Sequence, residues 1–324
     1  MQSIVKYEIL ILANTSSFNC SFVDIWTCDL LVRLVKFAFP QFEFMWLANE
    51  MKINLPQELA FTKEAINAEK ASRIFKEFDW IKVPVISWDL TTDRVLVMEF
   101  CSGCHINDLP GLHRQGVDPY EVSSKLGQMY SKMIFDEGYV HCDPHPGNLL
   151  VNKDKSGRTQ IVLLDHGLYT QLTNQFRYQY SDFWRAVINR DVPAIRLSAD
   201  KLGVGNLAEL FACMVTARSW SSVQRGLDVA PRTKAEGEEI KANLIKYFNE
   251  IAAVLAGVNR QMILIFKTND LLRGKCGWFA LMQSTLLLFS SSVYQSSTES
   301  LPGMSTVLCQ VLSLSLARGT PCPP

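Results

Sequence analysis

The chain has 324 residues, of which 48% are hydrophobic and 20% charged, so it can bury a full core and is not disordered by composition. Its 32 basic and 32 acidic side chains give a formal net charge of zero, which argues against a nucleic-acid partner. Its nine cysteines are scattered along a chain too large to need disulfides for stability, which favours reduced thiols in an intracellular compartment. The length favours two lobes or domains.

The beginning of the chain carries no clear targeting signal. "MQSIVKYEILILA" is apolar, but Glu8 interrupts the run and no small-residue cleavage site follows, so we interpret it as neither a secretory signal nor a mitochondrial presequence. Residues 28–39, "CDLLVRLVKFAF", then have an amphipathic helical pattern that ends at Pro40.

A second helix is predicted at residues 58–78, and it carries a carboxylate on its apolar face. Glu64 lies on the same stripe as the apolar side chains Phe61, Ala68, Ala71 and Phe75. A carboxylate in that position is costly unless it has a cationic partner, so we expect Glu64 to meet a lysine or arginine from elsewhere in the chain. The alternative is a shallow stripe, at whose edge Glu64 reaches water.

Two short strand-like runs follow at residues 82–90 and 94–100, and the turn "TTD" between them predicts a β-hairpin. The next stretch, "CSGCHIND", suits a flexible hinge between two lobes. Cys101 and Cys104 lack the second pair that would complete a zinc site, so we interpret them as turn residues.

The elements that follow are mainly helical. Residues 118–139 form an amphipathic helix that opens with Asp118 and Pro119, and its apolar stripe contains Val122, Leu126, Met129, Met133 and Ile134. Residues 159–167 form a buried strand that ends in an acidic turn, and residues 173–273 have a helical pattern.

The last segment, residues 276–324, differs in composition, because its charged residues are only Glu299 and Arg318. Within it, residues 276–294 are nearly long enough to cross a bilayer, and Arg273 and Lys275 precede them. Polar side chains weaken that interpretation, so we favour a partly buried or poorly ordered extension.

The loop between the long helix and the buried strand carries the clearest chemistry. His141, Asp143 and Asn148 reproduce the spacing of the protein kinase catalytic loop, H-R-D-x-x-x-x-N, and residues 165–167, "DHG", occupy the place of D-F-G. Carboxylate and amide oxygens are the hard ligands that Mg²⁺ prefers. Phosphoryl transfer needs positioning more than covalent help, so two rigid turns that hold such ligands suit it.

Two other chemistries could use the same loop. A transition-metal site could be drawn from the soft or borderline ligands His141, Cys142, His145 and His166, but neighbouring side chains on a proline-locked loop cannot all converge on one ion. Cys142 could also act as a nucleophile paired with His145, although no third orienting group is identifiable. The kinase-like interpretation is therefore favoured.

"HCDPHPGNLLV" followed by "IVLLDHG" resembles the aarF-domain-containing (UbiB-type) atypical kinase family, whose hallmark is H-x-D-P-H-P-G-N. The resemblance covers roughly Asp29 to Gly274. It implies an α+β, protein-kinase-like bilobal fold with an incomplete N-lobe and a largely helical C-lobe. It also implies ATP and Mg²⁺ as cofactors, a mitochondrial location and a lipid or inner-membrane partner.

Carried over to this sequence, the resemblance implies roles for three residues of the two turns. Asp143 is the catalytic-loop aspartate, and Asn148 and Asp165 are the metal ligands. His141 is our second catalytic candidate, which braces that loop, and the alternative for it is a structural hydrogen-bond role alone.

The resemblance also implies cofactor-binding residues in the first 100 positions. Glu64 is the helix glutamate that pairs with a strand lysine, and Glu58 is the first residue of the family's E-x-D pair. Ala60 stands in place of the aspartate of that pair, which is a departure from the family pattern. Glu99, at the end of the second strand-like run, is the third candidate.

Other family elements are not found where they are expected. The family has an Ala-rich nucleotide loop, a strand lysine and a K-x-G-Q segment upstream, and this chain starts too late to contain them. "KLGQ" at 125–128 matches by letters but lies in the helix after the hinge, and no Gly- or Ala-rich loop precedes Lys6. We therefore divide the chain into a partial N-lobe (1–100), a helical C-lobe (101–275) and a divergent tail (276–324).

Two functions are consistent with these observations. The first is an atypical kinase-like protein that binds ATP and Mg²⁺ for phosphoryl transfer or ATP hydrolysis. Such a protein is linked to mitochondrial membrane and lipid homeostasis, and in this chain its activity is impaired by loss of the nucleotide loop and strand lysine. The alternative is a catalytically inactive, pseudokinase-like scaffold in mitochondrial membrane organisation. Stabilisation by Mg-ATP tests whether the chain binds nucleotide at all.

Overall fold

The computed structural model describes residues 9–13, 17–38, 52, 60–226, 236, 238 and 247–273. In this part of the chain the strands are β1 (Ile9–Ala13), β2 (Ile81–Lys82), β3 (Val95–Glu99), β4 (Cys104–His105), β5 (Tyr139–His141), β6 (Leu149–Lys153), β7 (Thr159–Leu163) and β8 (Tyr169–Gln171). The α-helices are α1 (Ser17–Ala38), α2 (Phe61–Ile74), α3 (Leu109–Arg114), α4 (Pro119–Ser131), α5 (Asn174–Ile188), α6 (Val192–Lys201), α7 (Ala208–Thr216), α8 (Trp220–Arg225), α9 (Phe248–Gly257) and α10 (Arg260–Arg273). This mixture of small sheets and many helices confirms the predicted α+β class.

The strands of the described residues form three small sheets. β1 pairs antiparallel with β3, and β5 pairs antiparallel with β8. The third sheet has the order β2-β7-β6-β4, in which β2 and β7 are parallel and the other pairs antiparallel. The hairpin of β6 and β7 is its centre, and the last three residues of β7, Ile161, Val162 and Leu163, are all buried.

The helical half holds most of the core. The predicted stripe of the long helix is confirmed, since Val122, Leu126, Met129, Met133 and Ile134 are all buried. The Asp118 carboxylate accepts a hydrogen bond from the backbone N–H of Tyr120 and caps α4, and Pro119 occupies its first turn, where a missing N–H costs nothing. A π-helical turn, Lys132–Glu137, continues α4 to Gly138, whose φ of +63° lets the chain reverse into β5.

The helical pattern predicted for residues 173–273 is confirmed in the described part of that range. α5 buries an aromatic stripe of Phe176, Tyr180, Phe183 and Trp184 against the rest of the core. Thr173 caps α5, because its hydroxyl accepts a hydrogen bond from the backbone N–H of Phe176.

Several element boundaries differ from the prediction. α1 begins at Ser17, well before the predicted start at residue 28, and α2 spans only Phe61–Ile74. The first arm of the predicted hairpin at 82–90 is not a continuous strand. Pro84 has no N–H to donate to a ladder, and the backbone pairing of that arm with β3 is limited to an isolated bridge between Ile86 and Met98.

The predicted turn at Cys101 and Cys104 is only partly correct. Cys104 begins β4 and is the register partner of Val151. A side chain at Gly103 would place its Cβ 2.9 Å from the Val151 carbonyl oxygen, so this close approach requires glycine. The described cysteines, 28, 101, 104, 142 and 213, are reduced thiols.

Among the described residues, no helix has the length and apolar character that crossing a membrane requires. The segment at residues 276–294, considered above as a bilayer-crossing candidate, lies outside the described residues, as does Lys6.

Candidate functional site

Strand pairing brings together two acidic turns, the catalytic loop that contains Asp143 and the turn that begins at Asp165. Asn148 immediately precedes β6 and Leu164 immediately follows β7, and because the two strands are antiparallel both positions lie at the same edge of the sheet. The backbone N–H of Leu164 donates to the Asn148 carbonyl oxygen at 2.9 Å. The antiparallel β5–β8 pair likewise places the segment after β5, which contains Asp143, beside the segment before β8, which contains Asp165.

The catalytic-loop segment is held by its own hydrogen bonds. The backbone N–H of His145 donates to the Asp143 carbonyl oxygen at 2.7 Å, and the 3₁₀ turn Pro146–Asn148 follows. The side-chain Nδ2 of Asn148 donates to the same carbonyl oxygen at 3.1 Å. The Asn148 amide oxygen therefore remains to face a cation, on a side chain whose orientation is already fixed.

The second turn is equally tight. The Asp165 carboxylate accepts a hydrogen bond from the backbone N–H of Gly167 at 2.8 Å through its Oδ1 atom. A Cβ atom at Gly167 would lie 3.3 Å from that oxygen, so glycine suits the close turn. This bond orients the Asp165 side chain and leaves its second oxygen for another partner.

These turns line one cleft of about 400 Å³, together with residues of α2 and β3. Its described lining consists of Phe61, Glu64, Met98, Asp143, Gly147, Asn148, Leu164, Asp165, Gly167 and Leu168. Three of these side chains are carboxylates and none is a lysine or arginine. The cleft therefore attracts cations, and it brings together four of the residues singled out from the sequence: Glu64, Asp143, Asn148 and Asp165.

Glu64 is buried, with a relative exposure of 6%, so the alternative in which it reaches water is wrong. Its Oε1 atom accepts a hydrogen bond from the backbone N–H of His166 at 3.2 Å. Burial, and then the charge of Asp165, raise the pKa of Glu64 to about 7. The expected lysine or arginine partner is not found in the described part of the chain, and a backbone N–H takes its place.

His141 lies beneath the cleft and does not line it. The side chain is fully buried, and its Nδ1 atom is 3.3 Å from the Leu168 carbonyl oxygen. Burial lowers the pKa of His141, so the ring is kept neutral. This placement favours bracing of the loop over direct contact with a substrate.

The other two candidates from the first 100 positions do not join the described cleft. Glu58 lies outside the described residues. The carboxylate of Glu99 forms an ion pair with Lys82 at 2.8 Å and accepts a hydrogen bond from the backbone N–H of Val85 at 3.2 Å. Because the Glu99 side chain is engaged there, the structure does not bring it to the turns.

The His166 ring is committed to the fold. Its Nε2 atom lies 3.1 Å from the Leu163 carbonyl oxygen, and its Nδ1 atom lies 3.0 Å from the Tyr169 hydroxyl. Burial, and then proximity to His141, lower the pKa of His166 to about 3, so the ring is neutral. A neutral ring has one donor and one acceptor nitrogen, so Nε2 donates to the Leu163 carbonyl oxygen and Nδ1 accepts from the Tyr169 hydroxyl. Both ring nitrogens are therefore unavailable to a metal ion.

Cys142, another of the proposed soft ligands, is also inaccessible. Cys142 is fully buried, and its thiol lies 3.3 Å from the Val140 carbonyl oxygen, which disfavours nucleophilic attack on a substrate in the cleft. Within the part of the chain that the structure describes, no group of three His, Cys, Asp or Glu side chains is arranged to hold a metal ion by itself.

A group of polar side chains behind the cleft was not predicted from the sequence. Asn67, on the same face of α2 as Glu64, donates to the His166 carbonyl oxygen at 2.9 Å and accepts from the Tyr139 hydroxyl at 2.7 Å. The i, i+3 spacing from Glu64 was the available signal, since it places Asn67 on the face that meets the turn.

A family model, the ABC1 atypical kinase-like domain, matches residues 19–199. AarF domain-containing protein kinase 1 of Gallus gallus is 50% identical over 252 residues, which is 78% of this chain and 49% of that protein. The protein of the same name from Mus musculus is 50% identical over 251 residues, covering 77% and 48%, and AarF domain-containing kinase 1 of Drosophila melanogaster is 46% identical over 253 residues, covering 78% and 49%. The chain thus spans about half the length of the curated relatives it matches.

Among solved structures, the complex of Rv3197 with erythromycin from Mycobacterium tuberculosis is similar to this chain, with a TM-score of 0.53 and 14% identity. The match covers 84% of this chain and 68% of that one. At this identity the likeness shows the fold alone.

Proposed function

The chain belongs to the ABC1 atypical kinase-like family, and from that membership we propose that it binds ATP with Mg²⁺ in the cleft between α2 and the two acidic turns. The observation that carries the proposal is the convergence of Asp143, Asn148 and Asp165 in one cleft. The reaction is phosphoryl transfer or ATP hydrolysis, and the word kinase in the names of the relatives supports this class.

The donor atoms of the cleft fit a magnesium ion. Asn148 presents an amide oxygen and Asp165 a carboxylate oxygen, and each side chain is oriented by a hydrogen bond to the backbone. Mg²⁺ is usually bound through one or two such groups together with substrate phosphates, so two protein ligands are sufficient. An ion held by Asn148 and Asp165 would neutralise negative charge on the phosphates.

The residues of this chain supply positioning and proton transfer. Asp143 lines the cleft next to the metal ligands, and its carboxylate can accept a proton from an attacking hydroxyl or water. Its backbone carbonyl is fixed by Asn148 and His145, which restricts the movement of the Asp143 side chain. Phe61 and Met98 contribute apolar surface to the same cleft.

The charge of the cleft predicts that nucleotide binding depends on the metal. ATP is an anion, and three carboxylates and no lysine or arginine occur in the described lining. We therefore expect ATP alone to leave the melting temperature unchanged, and ATP with Mg²⁺ to raise it. At a ligand concentration about 100 times Kd, the stabilisation is about 2.7 kcal/mol.

Asp165→Ala is expected to abolish the stabilisation by Mg-ATP, because it removes a metal ligand without affecting the core. The matched control is Asp200→Asn, an exposed carboxylate at the end of α6, which should behave like the unmutated chain. Thermal unfolding of the three proteins with and without Mg-ATP is the measurement. An unmutated chain that Mg-ATP does not stabilise would refute nucleotide binding.

The location and biological role come from family resemblance. We assign the protein to mitochondria, with a role in membrane and lipid homeostasis and a lipid or inner-membrane partner. Cell fractionation with a tagged full-length chain tests the location.

The second candidate is a pseudokinase-like scaffold that does not turn over ATP. The observation that favours it is Glu64, which meets a backbone N–H and, among the described residues, no phosphate-clamping lysine. Release of inorganic phosphate from Mg-ATP separates the two. Turnover that Asp143→Asn lowers by about 100-fold or more supports the enzyme, whereas binding without turnover supports the scaffold.

A further inference from the structure

One polar stripe of α2 faces the segment that carries the proposed metal ligand. Glu64, Asn67 and Lys70 are spaced i, i+3 and i+6, so their side chains leave the helix on one side. Each of them contacts the residue after Asp165 or the β5–β8 sheet.

Glu64 and Asn67 hold both polar groups of the backbone at His166. The His166 N–H donates to Glu64 Oε1 at 3.2 Å, and the His166 carbonyl oxygen accepts from Asn67 Nδ2 at 2.9 Å. The backbone of the residue that follows Asp165 is therefore fixed to α2 at two points one helical turn apart.

The same stripe also contacts the strand that leads to the catalytic loop. The Tyr139 hydroxyl donates to Asn67 Oδ1 at 2.7 Å, and the Lys70 ammonium lies 3.6 Å from the centre of the Tyr139 ring. Lys70 also donates to Gln171 Oε1 at 3.0 Å, and Gln171 is the register partner of Tyr139 in the β5–β8 pair. Asn67 thus links β5 to the acidic turn through a single side chain.

Aromatic packing joins the two ends of this link. The Tyr139 and Tyr169 rings stack with their centroids 4.5 Å apart, and the Tyr169 hydroxyl bonds to the His166 ring at 3.0 Å. A closed circuit of contacts runs from Asn67 through His166, Tyr169 and Tyr139 back to Asn67. A circuit of this kind resists displacement of any one member.

We propose that Asn67 is a positioning residue that sets the orientation of the Asp165 carboxylate by holding the backbone at His166 against α2. In this chain the coupling of α2 to the metal-binding turn runs through hydrogen bonds to the backbone, and Glu64 takes part as an acceptor. The role of Asp165 as a metal ligand rests on the function proposed above. The two hydrogen bonds that hold the His166 backbone to Glu64 and Asn67, here called the clamp, are a separate property of the fold.

Hydrogen exchange at the turn tests the clamp without any metal or nucleotide. The N–H groups of His166 and Gly167 donate to Glu64 and Asp165, so they are protected while the turn is held. Asn67→Leu removes both hydrogen bonds of the Asn67 side-chain amide and replaces it with a side chain of similar volume. We expect these two N–H groups to exchange about tenfold faster, the factor that corresponds to loss of one hydrogen bond, with exchange in β7 unchanged.

Three further variants separate positioning from general stability. Asn152→Leu is the matched control, because Asn152 is also a half-buried asparagine whose Nδ2 donates to a backbone carbonyl, that of Ser102, at 2.7 Å. Asn67→Asp keeps the acceptor for Tyr139 but not the donor to His166, so exchange at the turn should match that of Asn67→Leu. Tyr139→Phe keeps the ring and removes only the hydroxyl, so it remains informative if Asn67→Leu does not fold, and we expect an intermediate acceleration.

Manganese affinity, measured by electron spin resonance with ATP present, provides the second readout. Asn67→Leu should bind Mn²⁺ about tenfold more weakly, as loss of a group that orients a ligand does. If the unmutated chain does not bind Mn²⁺ but exchange at the turn still accelerates in Asn67→Leu, the proposed function fails and the clamp stands. If Mn²⁺ binds and exchange in Asn67→Leu, Asn67→Asp and Tyr139→Phe equals that in Asn152→Leu, the clamp is refuted.

Discussion

Replacing Arg218 with methionine is expected to lower the free energy of unfolding by about 3–5 kcal/mol, because it leaves a buried carboxylate without its cation. The Arg218 and Glu236 side chains are only 5% and 8% exposed, and Arg218 Nε donates to Glu236 Oε1 at 3.0 Å. Burial favours the neutral form of Glu236, but the N–H of Ser219 and the Arg218 guanidinium outweigh it and hold the pKa of Glu236 at about 2. Methionine has a similar length and supplies neither charge nor donor.

Urea unfolding measures this effect, and an exposed ion pair serves as the control. Arg196 and Glu209 are 2.6 Å apart with side chains 63% and 45% exposed, so Arg196→Met should cost less than about 1 kcal/mol. Arg218→Met combined with Glu236→Leu should be less destabilised than Arg218→Met alone, since no unpaired charge remains buried. Equal losses for Arg218→Met and Arg196→Met would contradict the interpretation.

Replacing Glu64 with glutamine is expected to stabilise the protein at alkaline pH and to remove part of its pH dependence. The pKa of Glu64 is raised from an ordinary value of 4.5 to about 7, by burial and then by Asp165. The folded state therefore holds a proton that the unfolded state has lost between these two values. The stability contributed by Glu64 is fully present below pH 4.5, falls as the pH rises to about 7, and stays lost above that.

The size of the effect follows from the shift. At about 1.4 kcal/mol per pKa unit, the stability difference between Glu64→Gln and the unmutated chain should increase by about 3 kcal/mol between about pH 4 and about pH 8. Urea unfolding across this range, in chelator to exclude divalent cations, is the measurement. Glu69→Gln, an exposed carboxylate on the same helix, is the control, and a Glu64→Gln curve parallel to that of the unmutated chain would be the contrary result.

Much of the helical half could be predicted from the sequence because its signals are local. Asp118 and Pro119 mark the start of α4, and the buried stripe from Val122 to Ile134 has helical periodicity. The catalytic loop and the acidic turn were also recognised locally, from the spacing of Asp143 and Asn148 and from the buried run that precedes Asp165.

The strands near the start were predicted less well because their pairing is not local. β1 pairs with β3, more than 80 positions away, and β2 pairs with β7 instead of forming the first arm of the predicted hairpin. A two-residue strand such as β2 has too few residues for a period-2 pattern to identify it. Its existence depends on the neighbouring strand.

Glu64 shows the same division within a single residue. Its place on the apolar face of a helix was evident from the spacing of Phe61, Ala68 and Ala71, but that pattern left open whether Glu64 is buried or reaches water, and the structure shows that it is buried. Its partner was not, because the N–H of His166 is supplied by every residue except proline and leaves no mark in a sequence.

The sequence by itself determined the helices, the two acidic turns and the chemical class of the side chains on them, since periodicity, capping residues and spacing act over a few positions. Only the tertiary structure decided that these turns share one cleft, that Glu64 bonds to a backbone N–H, and that Asn67 joins Tyr139 to His166. The physical reason is that such contacts form between segments 72 to 102 positions apart, and they depend on which strand edges and helix faces the packed core brings together.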